Sequence, residues 1–515
     1  MEIKMRPENR FLTVLVCMSG LCSWLTMTRV GAAVSDPWVT TDRTVDCSSY
    51  ETIVKDVVKT GMNDEQKSLA LYTFFRQRVY HYMNMPESRD PLMCVNVLGN
   101  TLCGSQGTCM KGLLQAAGIK ARVVSGPGHT FYEAFYDNQW HGFDTFMNFY
   151  IFTRGDKPHI ASFSELEADP TLISGAAKEN RAVKGMAPCG DDPMFFSKHV
   201  SVSDYDVLKL DWSVKKNSLR KGEELIRSWW PGGKPLAGSF NAKFGPGPLH
   251  SCGSHDRADN PDLFKFWEPY GIRNFGQCSV SYRHYFNGMI NYSPNLTSND
   301  YKDNLLSESG VKAGADGLSG EGQLVIPVTC SFYISAGQCL FEATCNGEGD
   351  SVTLAVSRDG KQWTEAAVAK DSGKKEYAGS LDKVVINDSA GLHAYQIKFV
   401  LKGRATLNHF LIQTDFTHNA MAAPQLMPGK NAINVAVANA DAIKGGGFKI
   451  IYRYKEAPDW KGELKTIEKK INSTPFTFEA ALPQSEKLPQ MLDLALRNGD
   501  LAWKPEGAWR APAIP

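Results

Sequence analysis

The chain has 515 residues, and its 56 Lys and Arg against 55 Asp and Glu give a formal net charge of +1. This balance provides no overall field that would attract nucleic acid, so we expect no nucleic acid partner. Hydrophobic residues make up 43% of the chain and charged residues 22%, a composition that excludes a wholly disordered or fibrous protein. A chain of this length predicts about three domains.

The N-terminus has the order of a secretory signal peptide. A basic start that ends at Arg10 precedes an apolar run at 11–27, and small residues follow at 31–33. We expect 1–33 to be a signal peptide cleaved after Ala33, and the mature protein to be secreted or periplasmic, that is, extracytoplasmic. An uncleaved membrane anchor is the alternative. No later stretch is long and apolar enough to span a bilayer, so we expect no membrane span after signal removal.

Two helices are predicted ahead of three short strands in the first third of the chain. Residues 63–82 begin with an Asn-Asp cap and carry apolar residues near helical spacing, which predicts an amphipathic helix. Residues 108–117 predict a second helix, closed by Gly118 in the position of a C-terminal glycine cap. The strands are expected at 120–125, 129–136 and 139–145, separated by turn residues.

The pattern changes after residue 190. Trp, Gly, Pro and Asn are frequent at first, and regular alternation follows, as from Tyr395 to Leu401. This alternation predicts an antiparallel β-sandwich. Helical character is expected again only at 488–497. The predicted organisation is a first, catalytic domain at 34–190, an intermediate Trp- and Gly-rich segment at 191–320, a β-sandwich domain at 321–480 and a C-terminal tail at 481–515.

Cys109 is the candidate nucleophile. It lies where the second predicted helix begins, and the N–H groups and dipole of a helix N-terminus favour a thiolate. Gly107 lets the backbone approach a substrate closely. A nucleophilic cysteine also needs an imidazole within hydrogen-bond reach and a group that orients the ring. His129 and Asp144 fit these roles, because they lie on adjacent predicted strands and can meet on one face.

The residues around this triad resemble the transglutaminase-like superfamily. Four blocks of the family occur in order: GxC at Gly107–Cys109, GIxARVVxG at Gly118–Gly126, HxxxE at His129–Glu133 and WxxxD at Trp140–Asp144. The resemblance covers about 63–152, less than a third of the chain. It implies an α+β papain-like, transglutaminase-like domain. The expected fold class is therefore this domain followed by a mixed segment and a C-terminal antiparallel β-sandwich.

The resemblance also implies a mechanism. Cys109 would form a thioester with an acyl group, usually from a glutamine side chain or a peptide carbonyl, and an amine or water would resolve it. His129 would act as general acid and base, and Asp144 would orient the His129 ring. The Cys109 backbone N–H would stabilise the oxyanion. Glu133, Trp140 and Arg122 are expected to be structural, with Arg122 paired to a carboxylate.

The resulting hypothesis is a secreted cysteine enzyme, either a transglutaminase-like acyltransferase or a cysteine peptidase or amidase. Its expected substrate is a protein or peptide, and the β-sandwich would position substrate or bind a carbohydrate or cell-surface ligand. The alternative is a non-catalytic secreted binding or scaffold protein that retains the fold. A disulfide between Cys103 and Cys109 would support the scaffold, and a reactive Cys109 thiol would support the enzyme.

No cofactor and no metal are expected. The sequence has no P-loop and no dinucleotide-binding motif. The loop His250–Asp256 offers ligands for zinc, and a disulfide from Cys252 to Cys278 is the other interpretation of its cysteine. Ser357–Trp363 resembles the S-x-D-G-x-x-W turn of carbohydrate-binding β proteins, and an ordinary hairpin turn with an Asp-Gly pair is the simpler interpretation.

Overall fold

The computed structural model describes residues 33–81, 88–184, 198, 200–208, 212–229, 286–386 and 391–509. The predicted signal peptide up to residue 32 lies outside the described residues, and so does the loop His250–Asp256, with Cys278, for which a zinc site and a disulfide are the two interpretations. Within these ranges the structure has no helix that is long and apolar enough to cross a membrane.

Most of the helical residues lie in the first part of the chain. The α-helices are α1 Tyr50–Val57, α2 Asp64–Arg78, α3 Pro91–Met93, α4 Cys103–Ala116, α5 Phe163–Ala168 and α6 Asp382–Val385. A π-helix spans Cys94–Leu98, and 3-10 turns span Pro170–Leu172, Asn299–Asn304, Ala420–Ala422 and Ala440–Ile443. Asn63 and Gln66 form the capping box that starts α2, each side chain accepting from the other residue's backbone N–H at 2.8 and 3.0 Å.

Strands run from one end of the described chain to the other. The first group is β1 Val34–Ser35, β2 Trp38–Thr41, β3 Tyr80–His81, β4 Asn100–Thr101, β5 Lys120–Gly126, β6 His129–Tyr136, β7 Gln139–Phe143, β8 Ser201–Ser203, β9 Ser218–Leu219, β10 Glu223–Ser228 and β11 Phe286–Tyr292. The second group is β12 Ser307–Ser309, β13 Lys312–Gly314, β14 Gly317–Ser319, β15 Gly322–Thr329, β16 Tyr333–Cys345, β17 Ser351–Ser357, β18 Thr364–Ala369 and β19 Gly373–Ser380. The third group is β20 Ala394–Lys402, β21 Thr406–His418, β22 Gly429–Ala436, β23 Phe448–Lys455, β24 Lys465–Ile471, β25 Phe476–Leu482 and β26 Gln490–Asn498.

The expected fold class was wrong. Strands account for 42% of the described residues and helices for 18%, and these residues do not form a distinct α+β papain-like domain. The first part of the chain is joined to the later strands, since β1 pairs with β9 and β2 pairs with β22. Asn419, just after β21, donates from its side chain to the carbonyls of Arg78 and Val95 at 2.9 and 2.7 Å. The architecture is therefore β-rich and multidomain, with sheets that both ends of the chain share.

One ten-stranded sheet collects strands from several parts of the chain. Its hydrogen-bonded order is β13-β14-β21-β11-β10-β26-β23-β24, with β16 paired to β21 and β19 paired to β16. The helix expected at 488–497 is instead β26, which lies between β10 and β23. Almost all of β26 is buried, and a short apolar run of this kind does not separate a central strand from a buried helix. The sheet also crosses the boundaries predicted at 320 and 480.

An apolar core joins this sheet to a five-stranded sheet of order β12-β15-β20-β17-β18. The ring centroid of Phe341 in β16 lies 5.6 Å from that of Phe399 in β20. Phe399 in turn lies 5.3 Å from Phe410 of β21, measured between ring centroids. Two facing sheets with interleaved side chains give β-sandwich-like packing.

Helix α4 packs on a four-stranded sheet of order β7-β6-β5-β8. The strands predicted at 120–125, 129–136 and 139–145 are confirmed as β5, β6 and β7, with small differences at their ends. Asp137 and Asn138 form the β6–β7 turn with φ of 49° and 61°, the left-handed conformation that two-residue hairpin turns need. The antiparallel hairpin places the start of β6 beside the end of β7.

Helix α4 begins at Cys103, earlier than the expected start at Thr108. Gly104 and Gly107 disfavour a helix in isolation, so the sequence alone does not predict the earlier start. Packing on the sheet stabilises it. A Cβ at Gly107 would lie 3.1 Å from the Phe131 carbonyl oxygen, so glycine is what allows the helix to approach β6 this closely.

Candidate functional site

His129 and Asp144 lie together at one end of the β6–β7 hairpin. His129 is the first residue of β6, and Asp144 follows the last residue of β7. His129 Nε2 donates a hydrogen bond to Asp144 Oδ2 at 2.5 Å, and both side chains are 3% exposed. The structure therefore brings together two of the three residues that the sequence analysis singled out.

A tight turn after β7 fixes the Asp144 carboxylate. Its Oδ1 accepts from the Phe146 backbone N–H at 2.8 Å. The Asp144 backbone N–H and carbonyl both pair with Phe149, each at 2.9 Å. Tyr72 of α2 donates to Asn148 Oδ1 at 2.8 Å and so holds the turn against the helix. The carboxylate is positioned to keep the His129 ring in one orientation.

Burial and charge act in opposite directions on the pKa of His129. Burial by itself lowers the pKa, because a charged ring loses its hydration. The negative charge of Asp144, together with hydrogen bonds to Asp144 and to Cys103, outweighs burial and raises the pKa of His129 to about 10. At neutral pH the ring is therefore an imidazolium held between a carboxylate and a thiol group.

The cysteine that hydrogen-bonds with His129 is Cys103. It is the first residue of α4 and is partly exposed. Because Nε2 of His129 is bonded to Asp144, Nδ1 is the ring atom available to Cys103. The first N–H groups of a helix have no partners within the helix, and the N-cap residue Leu102 supplies no side-chain cap. Backbone donors and a sulfur atom therefore lie side by side at this helix end.

Cys109, the predicted nucleophile, lies six residues farther along α4 than Cys103. It is fully buried within α4, and its Sγ lies 3.6 Å from Cys94 Sγ. Six residues along an α-helix rotate a side chain by about 240° and advance it by roughly 9 Å, so Cys103 and Cys109 point to different sides of α4. The Cys109 N–H lies inside the helical hydrogen-bond ladder and is not placed to serve as the expected oxyanion donor.

The sequence argument for a nucleophile at a helix N-terminus could have identified Cys103. It pointed to Cys109 instead because the helix was expected to start at Thr108. The argument that a helix N-terminus favours a thiolate applies to the first residue of the helix. That residue is Cys103 in the structure, whereas a helix starting at Thr108 made Cys109 the candidate. The close approach of Gly107 to β6 shows that this first part of α4 packs against the sheet, a contact that the sequence does not reveal.

Aromatic rings surround the pair of His129 and Cys103. The ring centroid of Phe146 lies 5.4 Å from that of His129, and the centroid of Phe131 lies 5.8 Å from it. Tyr205 covers the residue after Cys103, since a Cβ at Gly104 would lie 3.2 Å from the tyrosine ring. Tyr205 is 43% exposed and so forms the solvent-facing side of the site.

Three further residues of the resembling blocks have structural roles, as expected. Arg122 Nε donates to Glu133 Oε2 at 2.7 Å, and the guanidinium lies 4.0 Å from the centre of the Trp140 ring. The other oxygen of Glu133 accepts from the Phe163 N–H at 2.8 Å. The predicted pairing of Arg122 with a carboxylate is confirmed, and the network ties the outer face of the sheet to α5.

The Ser357–Trp363 turn is closed on itself. Asp359 accepts from the N–H groups of Lys361 and Gln362 at 2.8 and 2.9 Å, and Trp363 Nε1 donates to the Gly360 carbonyl at 3.0 Å. The Lys398 ammonium lies 4.1 Å from the centre of the Trp363 ring. This arrangement supports the hairpin-turn interpretation. Among the residues that the structure describes, no group of three or more His, Cys, Asp or Glu could hold a metal ion.

Comparison with known proteins adds no family. No family model and no curated protein matches the chain. A structure titled "CBM4 structure and function" has a TM-score of 0.15 and 13% identity, and the match covers 25% of this chain and 86% of that one. The CBM22-1–CBM22-2 tandem domain of Xyn10C from Paenibacillus barcinonensis has a TM-score of 0.17 and 9% identity, over 43% and 92% of the two chains. Dimeric latent PorU from Porphyromonas gingivalis has a TM-score of 0.17 and 11% identity, over 42% and 20%. TM-scores this low support no inference about the present chain.

Proposed function

We propose that the protein is an exported cysteine enzyme that transfers or hydrolyses an acyl group through a thioester on Cys103. The observation that carries this proposal is the hydrogen-bonded row of Cys103, His129 and Asp144 at the N-terminus of α4. A thiol, an imidazolium and an orienting carboxylate in this order are the components that nucleophilic cysteine catalysis needs. Cys103 takes the role that the sequence analysis gave to Cys109.

In the first step, the Cys103 thiol loses its proton to solvent, the resulting thiolate attacks the carbonyl carbon of an amide, and a sulfur–carbon bond forms. The carbonyl oxygen becomes an oxyanion, for which the first N–H groups of α4 are suitable donors. His129 gives its proton to the leaving nitrogen, the carbon–nitrogen bond breaks and a thioester remains. Asp144 keeps the ring oriented.

In the second step, water or an amine attacks the thioester carbon. His129 accepts the proton of the attacking group, and Cys103 leaves as a thiolate. Hydrolysis and acyl transfer use the same three side chains and differ only in the nucleophile that enters. We propose a protein or peptide as the acyl donor, because its amide carbonyl is the group that these residues can activate. Tyr205, exposed beside Gly104, would contact the donor chain.

Export is proposed from the charged, apolar and small-residue order of 1–33. The rival function, a non-catalytic binding or scaffold protein, requires an unreactive Cys103. The reactivity of the Cys103 sulfur atom therefore distinguishes the enzyme from the scaffold.

The test is alkylation of the native protein with iodoacetamide from about pH 5 to about pH 9, with each modified cysteine mapped by mass spectrometry. We expect Cys103 to react selectively and to do so at about pH 6, where an ordinary thiol is almost entirely protonated. In His129→Ala the rate at this pH should fall by on the order of tenfold or more. The buried Cys109 should stay unmodified in the native state.

Cys103→Ser is the matched control, because it replaces the sulfur atom with an oxygen atom and keeps the shape of the side chain at the helix start. This variant should lose the rapid labelling and keep the melting temperature of the wild type. A Cys103 that reacts only above about pH 8, at the same rate with and without His129, would contradict the enzyme and favour the scaffold.

A further inference from the structure

Two buried sulfur atoms lie in contact beneath the site. Cys94 begins the π-helix, and Cys109 lies within α4. Their Sγ atoms are 3.6 Å apart, and both residues are 0% exposed. Cys94 Sγ also lies 3.2 Å from the Ser88 carbonyl oxygen, to which it donates. The two thiols therefore form a connected pair inside the molecule.

Four of the other described cysteines contact backbone atoms. Cys47, Cys339 and Cys345 donate to carbonyl oxygens at 3.5, 3.7 and 3.7 Å. Cys330 accepts from the Phe332 N–H at 3.4 Å. Among the cysteines in the described ranges, Cys94 and Cys109 are the pair for which the structure gives a sulfur–sulfur contact.

We propose that Cys94 and Cys109 form a disulfide in the mature protein. The proposal uses the export of the chain and does not use the catalytic role of Cys103. Bond formation brings the sulfur atoms from 3.6 Å to about 2.05 Å, which requires a rotation of the two side chains. Exported proteins lie in oxidising compartments, where a contact of this kind is converted to a bond.

The oxidant is the disulfide of a thiol–disulfide oxidoreductase or of oxidised glutathione. One cysteine thiolate attacks this disulfide and gives a mixed disulfide, and the second cysteine thiolate displaces the oxidant's remaining thiol. The protein loses two protons and two electrons, and the oxidant's disulfide is reduced to two thiols. Since both cysteines are fully buried in the folded chain, the exchange takes place before α4 packs.

The bond would fix the helix that carries Cys103. The π-helix is already held by Asn96, which donates to the carbonyls of Cys47 and Leu92 at 2.7 and 2.9 Å. A disulfide at Cys109 would join α4 covalently to this anchored segment. Cys103 would stay a thiol, because a partner six residues along the same helix lies roughly 9 Å away along the axis, too far for a disulfide.

The experiment is peptide mapping of the exported, full-length mature protein. The protein is denatured in iodoacetamide without reductant, digested and analysed by mass spectrometry. We expect one linked pair of peptides that contains Cys94 and Cys109, two hydrogens lighter than the two thiol peptides together, with Cys103 alkylated. Alkylation of both Cys94 and Cys109, or a bond from either one to another cysteine, would overturn the proposal.

Variants give a second measurement. A reductant should lower the melting temperature of the wild type by on the order of 5 °C. The reductant should not change the melting temperature of the double variant Cys94→Ala/Cys109→Ala. The control variant Cys47→Ala removes a buried cysteine outside the pair, and its melting temperature should fall in reductant as that of the wild type does. An equal response in all three proteins would also overturn the disulfide. Since Cys103 alkylation is recorded separately, an inactive Cys103 with an intact bond would contradict only the proposed function.

Discussion

At the scale of single residues, the site depends on the competition between burial and charge at His129. A neutral, buried imidazole would carry no positive charge and so would not stabilise a neighbouring thiolate. Asp144 reverses this, because its carboxylate lies 2.5 Å from Nε2 and is itself fixed by the Phe146 N–H. The result is a ring that stays charged across the physiological pH range.

The first prediction concerns Asp144→Asn. Removing the carboxylate charge while burial remains should lower the pKa of His129. In the wild type this pKa is about 10, above the ordinary value of 6.5, so the pair stabilises the folded state fully below about pH 6.5. That stability is lost as the pH rises through about 10.

The measurement is the free energy of unfolding of wild type and variant between about pH 6 and about pH 10, by denaturant titration. The difference in unfolding free energy between wild type and variant should be largest at about pH 6 and should decrease toward about pH 10. Asp206→Asn is the control, since Asp206 is an 81% exposed acid bridged to Lys111. A difference that does not change with pH would contradict the charged state assigned to His129.

At the scale of elements, the start of α4 decides which cysteine faces the site. Two glycines lie in its first two turns, yet the helix forms because it fits tightly on the sheet. Gly107 faces the backbone of β6, and Gly104 faces the exposed ring of Tyr205. The two positions therefore respond differently to an added methyl group.

We expect Gly107→Ala to destabilise the protein by about 1–3 kcal/mol, because the new Cβ would press on the Phe131 carbonyl, which cannot move freely. Gly104→Ala should be neutral or stabilising by about 0.5–1 kcal/mol, since alanine favours the helix and the Tyr205 side chain can move. Chemical denaturation of both variants is the measurement. Equal effects would contradict the close packing of α4 on β6.

At the scale of the whole molecule, β26 is a central strand rather than part of an appended tail. It pairs with β10 on one side and β23 on the other. Arg453 of β23 donates to the fully buried Asp493 of β26 at 2.9 Å, which adds a charged contact to this pairing. The sheet therefore depends on residues near the C-terminus.

A chain that ends at residue 489 should fail to fold, because the sheet would lose the strand between β10 and β23. A chain that ends at residue 509 keeps this strand and should match the full-length protein. Limited proteolysis and thermal melting of the two truncated proteins measure the difference. A shorter chain with the melting temperature and Cys103 labelling of the wild type would show that β26 is dispensable.

The sequence by itself determined the local features of this protein. Strand alternation and turn residues placed β5, β6 and β7, and the adjacency of β6 and β7 brought His129 and Asp144 within reach of each other. Only the tertiary structure decided that Cys103 contacts His129, since α4 begins at Cys103 and packs against β6 at Gly107. It also decided that 490–498 is a strand, because the backbone of that segment pairs with β10 on one side and β23 on the other. Periodicity records which residues are apolar, whereas these two outcomes follow from contacts between segments that are distant in sequence.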